Sequence, residues 1–290
     1  MLSLHWLSRL LAPRSGKSTG RSPRERTKER RLKLLRLEQR RVLNADFSFT
    51  PQVLKLSHVD GDLSVREVSS GLTSRIEFDL HGSVWHDDSS TGTFAIDNST
   101  PGHSILSVAK SDLESLSAGA SLSAASSEFD LQFDVHSSSL DLSHLHGTLV
   151  VEGFGAVQQT TSADHDVKVA DVSLSADQIQ LSHFHGDDIT LHANEIDLTG
   201  GHESVSGTTL SILSTATPTI ELGGLSNDGA ELNFTDSDIA ALDASFHQIR
   251  FEAHSTNDLT SVHVDATGAD FGHAFSAGCG STDRCRSPAV

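Results

Sequence analysis

A nine-residue pattern that occurs twice in the middle of the chain constrains the fold more than any other feature. Residues 173–181 (SLSADQIQL) and 190–198 (TLHANEIDL) both read S/T-L-x-A-D/N-x-I-x-L, and corresponding positions lie 17 residues apart. Apolar residues at every second position are typical of strands. A period near 20 residues that contains several short strands indicates a solenoid in which each coil of the chain stacks on the last.

The repeat predicts specific partners in neighbouring coils. We expect Leu174 to stack on Leu191, and Ile179 on Ile196, with all four side chains pointing inward. A third copy starts at Thr209, where TLSI is followed, after a longer loop, by TIEL. Small apolar residues would then fill a narrow interior, while Asp, Ser, Thr and His face outward.

Short alternating segments extend this pattern beyond the repeat. Each is three to eight residues long and is a predicted strand: 53–56, 75–80, 128–135, 172–174, 179–181, 189–191 and 196–198. A helical period is suggested only over 236–246. A sandwich of short strands shares the alternation, but it does not by itself predict the 17-residue spacing. The predicted fold class is therefore all-β, a parallel β-helix.

Charge is divided unevenly along the chain. Residues 1–50 contain 13 Lys and Arg against 4 Asp and Glu, whereas residues 51–290 contain 8 against 35. An acidic body disfavours any function that follows a phosphate backbone, because such binding needs clustered cations, so we expect no nucleic-acid partner. No run approaches the ~18 apolar residues of a transmembrane segment. The basic segment 23–43 is rich in helix formers and predicts one helix, with Asn44 as its C-cap.

The end of this basic leader carries a recognisable segment, LEQRRVLNAD at 37–46. It resembles the LEPR-XLL-type N-terminal segment of large exported or surface proteins of certain bacteria. Leu37, Glu38, Arg40 and Leu43 match the family pattern, and Gln39 stands where the family has Pro. The resemblance implies an export or processing signal, and it therefore implies an extracellular or cell-surface protein.

The later part of the body carries a second resemblance. Residues 219–224 (TIELGG), 228–242 (DGAELNFTDSDIAAL) and 246–251 (FHQIRF) are similar to a module of filamentous-haemagglutinin-like surface proteins. That family repeats such segments within long right-handed parallel β-helices. The similarity covers about 169–265, and residues 51–168 match in style only. Because members are usually far longer, the resemblance implies a fragment, a truncated gene or a degenerate paralogue.

These features divide the chain into three parts. Residues 1–50 form the basic helical leader with its export segment, residues 51–278 form the acidic β-helix body with its clearest coils at 169–265, and residues 279–290 form a predicted disordered tail. The tail holds both cysteines, Cys279 and Cys285, whose spacing permits a local disulfide after export.

Two His-x-His pairs are the weak candidates for a metal site. His144 and His146 lie in LSHLHG, and His183 and His185 lie in LSHFHG, 39 residues or about two coils later. A strand places positions i and i+2 on one face, so each pair can present two imidazoles to zinc or copper. A closed zinc site needs four ligands, however, and no third ligand recurs at a fixed offset. The simpler interpretation is an outward ladder, so no metal and no other cofactor is expected.

The function predicted from these observations is structural. We expect a non-enzymatic, adhesin-like β-helix protein that is exported and contacts cell-surface or matrix components. No G-x-S-x-G motif or other context selects a catalytic serine. Two alternatives stay open: a polysaccharide-active β-helix enzyme, which would need two or three converging carboxylates in a groove, and a weak metal-binding surface module that uses the His-x-His pairs.

Overall fold

A computed structural model of the chain describes residues 44–71, 73–88, 90–160, 162, 164–215, 219–223, 232–252, 261–264 and 275–278. The predicted basic helix, the predicted tail and the four matching residues of the export segment lie outside the described residues. The body begins earlier than the sequence indicates, because a strand already starts at Asn44, the expected C-cap, and pairs with later strands of the body.

Strands make up most of the described chain. In chain order they are β1 (Asn44–Phe49), β2 (Leu54–Val59), β3 (Asp62–Ser70), β4 (Thr73–His81), β5 (Val84–Asp87), β6 (Phe94–Asp97), β7 (His103–Ala109), β8 (Ala120–Ala124), β9 (Leu131–Phe133), β10 (Leu140–Leu142), β11 (Thr148–Gln159), β12 (Val167–Val169), β13 (Asp171–Leu181), β14 (Phe184–His185), β15 (Asp188–Ala193), β16 (Glu195–Leu198), β17 (Val205–Ser206), β18 (Thr209–Ser214), β19 (Thr219–Leu222), β20 (Leu232–Phe234), β21 (Gln248–Glu252), β22 (Ser261–Val264) and β23 (Phe275–Gly278). Two short helices accompany them, α1 (Lys110–Glu114) and α2 (Asp236–Ala240).

The three longest ladders of parallel strands organise the body. The first joins β2, β8, β11, β13, β15, β18, β21 and β23 in that order. The second joins β3, β9, β11, β13 and β16, since β11 and β13 are long enough to take part in both. The third joins β10, β12, β14 and β17. Successive strands of each ladder come from successive stretches of the chain. The apolar side chains that alternate along each strand therefore pack on those of the next strand and form the interior.

The first ladder carries an unbroken apolar column. Each of its members is at most 1% exposed and lies opposite the next member: Leu56, Leu122, Val151, Leu174, Leu191, Ile212 and Phe251. The second ladder carries Leu63, Leu131, Val157, Ile179 and Ile196, which are equally buried. These columns exclude water without large aromatic clusters, because each side chain packs on a neighbour of similar size in the next strand.

The predicted stacking of the repeat is confirmed. Leu174 lies opposite Leu191, and Ile179 opposite Ile196, with all four side chains buried. The third copy continues the first ladder through Thr209–Ser214, but its second half is displaced. β19 pairs with β20 and β22 instead, and β20 contacts β16. The all-β class is therefore confirmed, and the right-handed parallel β-helix stays a prediction.

The N-terminal part of the body adds antiparallel strands to these parallel ladders. β3, β4, β7 and β6 pair in that order and antiparallel, while β1 pairs with β2 and β5. Because β3 also belongs to the second ladder, this antiparallel sheet is continuous with the stacked strands. We call β3, β4, β7 and β6 the antiparallel sheet below.

The helical period suggested over 236–246 is confirmed only at its start, where Asp236–Ala240 form the five-residue helix α2. Thr235 caps it: its side chain accepts a hydrogen bond from the backbone of Asp238, and the Asp238 carboxylate accepts from the backbone of Thr235 in return. This reciprocal capping box satisfies backbone donors that the first turn of a helix leaves free. Helix α1 is not predicted by the sequence pattern. No helix among the described residues has the length and apolar character needed to cross a membrane.

Candidate functional site

The first His-x-His pair lies in a turn instead of a strand. β10 ends at Leu142, and both His144 and His146 follow it as exposed residues. The Ser143 hydroxyl, 3.3 Å from His144 Nδ1, donates a 2.6 Å hydrogen bond to Asp141 Oδ1. Two imidazoles in a turn have no fixed common face, so the strand interpretation of this pair is wrong.

The second pair is divided between a bend and a strand. His183 has a left-handed backbone (φ 47°) just before β14, whereas His185 is the second residue of that strand. His185 Nδ1 lies 2.6 Å from the Ser206 hydroxyl on β17, and its Nε2 lies 3.7 Å from Asp166 Oδ2. The left-handed residue breaks the alternation, so this pair does not follow strand geometry either.

The two pairs also fail to stack on one another. In the third ladder Leu140 lies opposite Val167, and Val167 lies opposite Phe184. The position that shares a column with His185 two strands earlier is therefore Asp141, not a histidine. The 39-residue spacing between LSHLHG and LSHFHG does not match the pairing of the strands, because the segments that connect successive strands of this ladder differ in length. The four histidines stay weak candidates for a metal site.

An open groove lies beside His185 on the outer face of the third ladder. Its lining includes Lys168, His185, Asp187, Ser206, Thr208 and His247. Lys168 Nζ lies 3.7 Å from Asp166 Oδ2, which also faces His185. Among the described residues that line this groove, Asp187 supplies the one carboxylate. The polysaccharide-enzyme alternative needs two converging carboxylates, and a second carboxylate next to the described lining is that of Asp166.

A different cluster lies on the antiparallel sheet. His81, at the end of β4, lies directly opposite His103, at the start of β7, and Asp79 precedes His81 by two positions. Asp79 Oδ1 lies 3.2 Å from His103 Nδ1, and Asp79 Oδ2 lies 3.9 Å from His81 Nε2. The two imidazole rings have centroids 4.3 Å apart at 60°. One ligand atom from each residue lies within 4.8 Å of the others.

This cluster differs from the His-x-His pairs in burial and in support. The Asp79 side chain is 13% exposed, whereas those of His81 and His103 are 44% and 39% exposed. A mostly buried carboxylate thus lies beneath two imidazoles that remain open to solvent. Within the described part of the chain, it is the one group of three or more His, Cys, Asp or Glu side chains close enough to share an ion.

Part of this cluster is visible in the sequence. Asp79 lies in the predicted strand 75–80 and His81 follows directly after it, so an alternation continued by one residue places Asp79 and His81 on one face. His103 cannot be added from the sequence, because its position depends on how β7 pairs with β4 across the intervening residues 82–102. A search for His-x-His alone therefore does not find this cluster.

No protein-family model, curated protein or solved structure matches this chain. The resemblances to the LEPR-XLL segment and to the haemagglutinin-like module therefore stay predictions.

Proposed function

We propose that this chain is a non-enzymatic, exported or cell-surface protein whose body is a right-handed parallel β-helix of the structural, adhesin-like kind. The observation that carries the proposal is the continuous inward column of the first ladder, from Leu56 to Phe251. Such a stack makes a scaffold whose outer face can vary more freely than its interior, because most of its stability comes from packing between neighbouring coils. Crossovers between parallel strands of one sheet are right-handed in about 98% of cases, and this favours the proposed hand.

The outer face supports a contact role more than a catalytic one. Between β13 and β16 the outward positions are polar and paired: Gln178 Nε2 donates to Glu195 Oε2 at 3.0 Å, and Gln180 Nε2 donates to Asp197 Oδ2 at 3.2 Å. At both positions a side-chain amide of β13 thus lies opposite a carboxylate of β16. This arrangement lets an acidic surface stack without placing like charges directly opposite each other.

Export is tested by locating the full-length chain in a bacterial host. Cells that express it are fractionated, and intact cells are treated with protease before immunoblotting. We expect protease-accessible or secreted protein, and we expect a variant with Leu37→Ala, Glu38→Ala and Arg40→Ala to stay in the cytosol. The matched control is Gln39→Ala, which changes the position where the chain departs from the family pattern. Wild-type protein found only in the cytosol would contradict export.

The absence of catalysis has its own test. The purified chain is incubated with a panel of neutral and acidic polysaccharides, and new reducing ends or unsaturated products are measured. We expect none above the blank, together with saturable retention of the chain on bacterial surface or matrix material. Product formation that is lost on changing Asp187→Asn or His185→Gln would instead favour the polysaccharide-active alternative and assign it to the groove.

A further inference from the structure

We propose that Asp79, His81 and His103 bind a divalent transition-metal ion of the zinc class on the antiparallel sheet. Two imidazoles and one carboxylate are a frequent ligand set for zinc and for related first-row ions. Calcium and magnesium prefer sets made of oxygen ligands, so the two histidines select against them. The site is distinct from the His-x-His pairs and from the groove, and it does not depend on the proposed surface function.

The distances favour this assignment. Zinc–ligand distances of about 2.0–2.2 Å in a tetrahedral site place neighbouring ligand atoms about 3.3–3.6 Å apart. Asp79 already lies 3.2 Å from His103 Nδ1 and 3.9 Å from His81 Nε2. All three ligand atoms lie within 4.8 Å of one another, so small rotations of the two imidazoles bring them into range.

The fold holds these ligands on strands instead of loops. His81 and His103 occupy directly opposite positions of the β4–β7 pair, so their separation is fixed by the antiparallel pairing. The buried Asp79 carboxylate is held beneath them in the same strand as His81. Sites built on paired strands keep their geometry better than sites on loops. An ion bound here would join β4 to β7 and so fasten the two ends of segment 82–102.

Three protein ligands leave one position of a tetrahedral ion open. His81 and His103 are each more than a third exposed, so that open position faces solvent and is available to water or to a small anionic group. A closed structural zinc site has four protein ligands. The site is therefore an accessible one, which exchanges its ion with the medium and stabilises the fold only when the ion is present.

Binding is tested by calorimetric titration of the metal-free full-length chain with zinc chloride, and with magnesium and calcium as reference ions. We expect one zinc equivalent that magnesium and calcium do not replace. The variants His81→Gln and His103→Gln should each weaken zinc binding by at least about tenfold, since even changes behind a metal ligand cost about 10–100-fold. The double variant His144→Gln/His146→Gln is the matched control and should bind as the wild type does.

A second measurement needs no variant. Diethyl pyrocarbonate modifies accessible imidazoles of the wild-type chain, and mass spectrometry maps each site with and without zinc. We expect zinc to protect His81 and His103 while His144 and His146 are modified as before. Unchanged modification of His81 and His103, or zinc affinity that is the same in both single variants and the wild type, would overturn the proposal. Protection confined to His144 and His146 would overturn it too.

Discussion

Ile179 lies directly opposite Ile196 in the parallel ladder between β13 and β16, and both side chains are almost completely buried. Their outward neighbours Gln180 and Asp197 lie opposite each other in the same ladder and share a hydrogen bond. One position along the chain thus separates the interior of the stack from its surface. A shift of the pairing by one residue would exchange the two faces, so substitutions at neighbouring positions have sharply different expected effects.

The buried position is tested by Ile196→Asp. We expect the free energy of unfolding to fall by several kcal/mol, because the change buries a carboxylate without a partner and removes an apolar contact. Urea unfolding followed by circular dichroism measures it. The control Asp177→Asn, at an exposed position of β13, should stay within about 0.5 kcal/mol. An equally small effect of Ile196→Asp would mean that the position is exposed.

The sequence predicts this part of the fold because both neighbouring coils use the same number of residues. Leu174 and Leu191 are 17 residues apart, and no insertion separates them from their ladder. The next steps of the same column, to Ile212 and then to Phe251, take 21 and 39 residues. A column is defined by hydrogen bonding across space, so variable loops hide it from any search for a fixed period.

The candidate metal site, too, can be predicted from the sequence only in part. A strand pattern places Asp79 and His81 on one face, because that relationship is local. The partner His103 comes from an antiparallel pairing with β7, which no repeat in the sequence specifies. The predicted register of the His-x-His pairs fails for a related reason: Leu140 takes the column position opposite Val167, while LSHLHG continues into a turn.

The outward ladder is tested by Gln180→Glu. The new carboxylate would lie directly opposite Asp197, and we expect a loss of up to about 1 kcal/mol of unfolding free energy in low salt. High salt should remove most of the loss, because exposed charges are screened. Gln132→Glu is the matched control, since Gln132 occupies the same column but lies opposite Ser64 and Gln158. Equal effects of both variants, or no salt dependence, would contradict the pairing.

The buried cap of α2 is tested by Asp238→Ala. The Asp238 carboxylate accepts hydrogen bonds from the backbone of Leu198 at 2.7 Å and of Thr235 at 2.8 Å. Without it both donors lose their acceptor in the interior, and we expect a cost of about 1–3 kcal/mol in thermal or urea unfolding. Asp236→Ala, an exposed residue of the same first turn, is the control. A loss no larger than that of Asp236→Ala would show that the cap contributes little.

The same residue predicts a pH dependence. Burial raises the pKa of Asp238 above its ordinary value of 3.8, against the lowering effect of its hydrogen bonds. The folded chain then holds this proton more tightly than the unfolded chain, so protonation of Asp238 favours folding. Its contribution to stability is complete below pH 3.8 and is lost as the pH rises through the raised pKa. Unfolding of the wild type and of Asp238→Asn, compared from acidic to neutral pH, should show this loss in the wild type only; parallel curves would contradict it.

Lys110, at the start of α1, lies between two carboxylates of different ladders. Its Nζ is 3.2 Å from Glu67 Oε2 and 3.5 Å from Asp141 Oδ2, and the Lys110 and Glu67 side chains are only 16% and 11% exposed. The Glu67 carboxylate also accepts the backbone N–H of Asp141 at 3.2 Å. Removing the cation would therefore leave two carboxylates together, one of them mostly buried.

We expect Lys110→Met to lower the free energy of unfolding by roughly 1–3 kcal/mol, less than the about 3–5 kcal/mol of a fully buried pair, because Asp141 is 37% exposed. Lys55→Met, at an exposed position of β2, is the control.

Burial raises the pKa of Asp141, but hydrogen bonds from Ser143 and the charge of Lys110 outweigh it, so that the pKa of Asp141 is lowered from 3.8. Ionised Asp141 therefore stabilises the fold above pH 3.8, and this contribution is lost as the pH falls through the lowered pKa. The difference between wild type and Lys110→Met should accordingly shrink in acid, and a difference that stays constant down to acidic pH would show that Lys110 acts through packing alone.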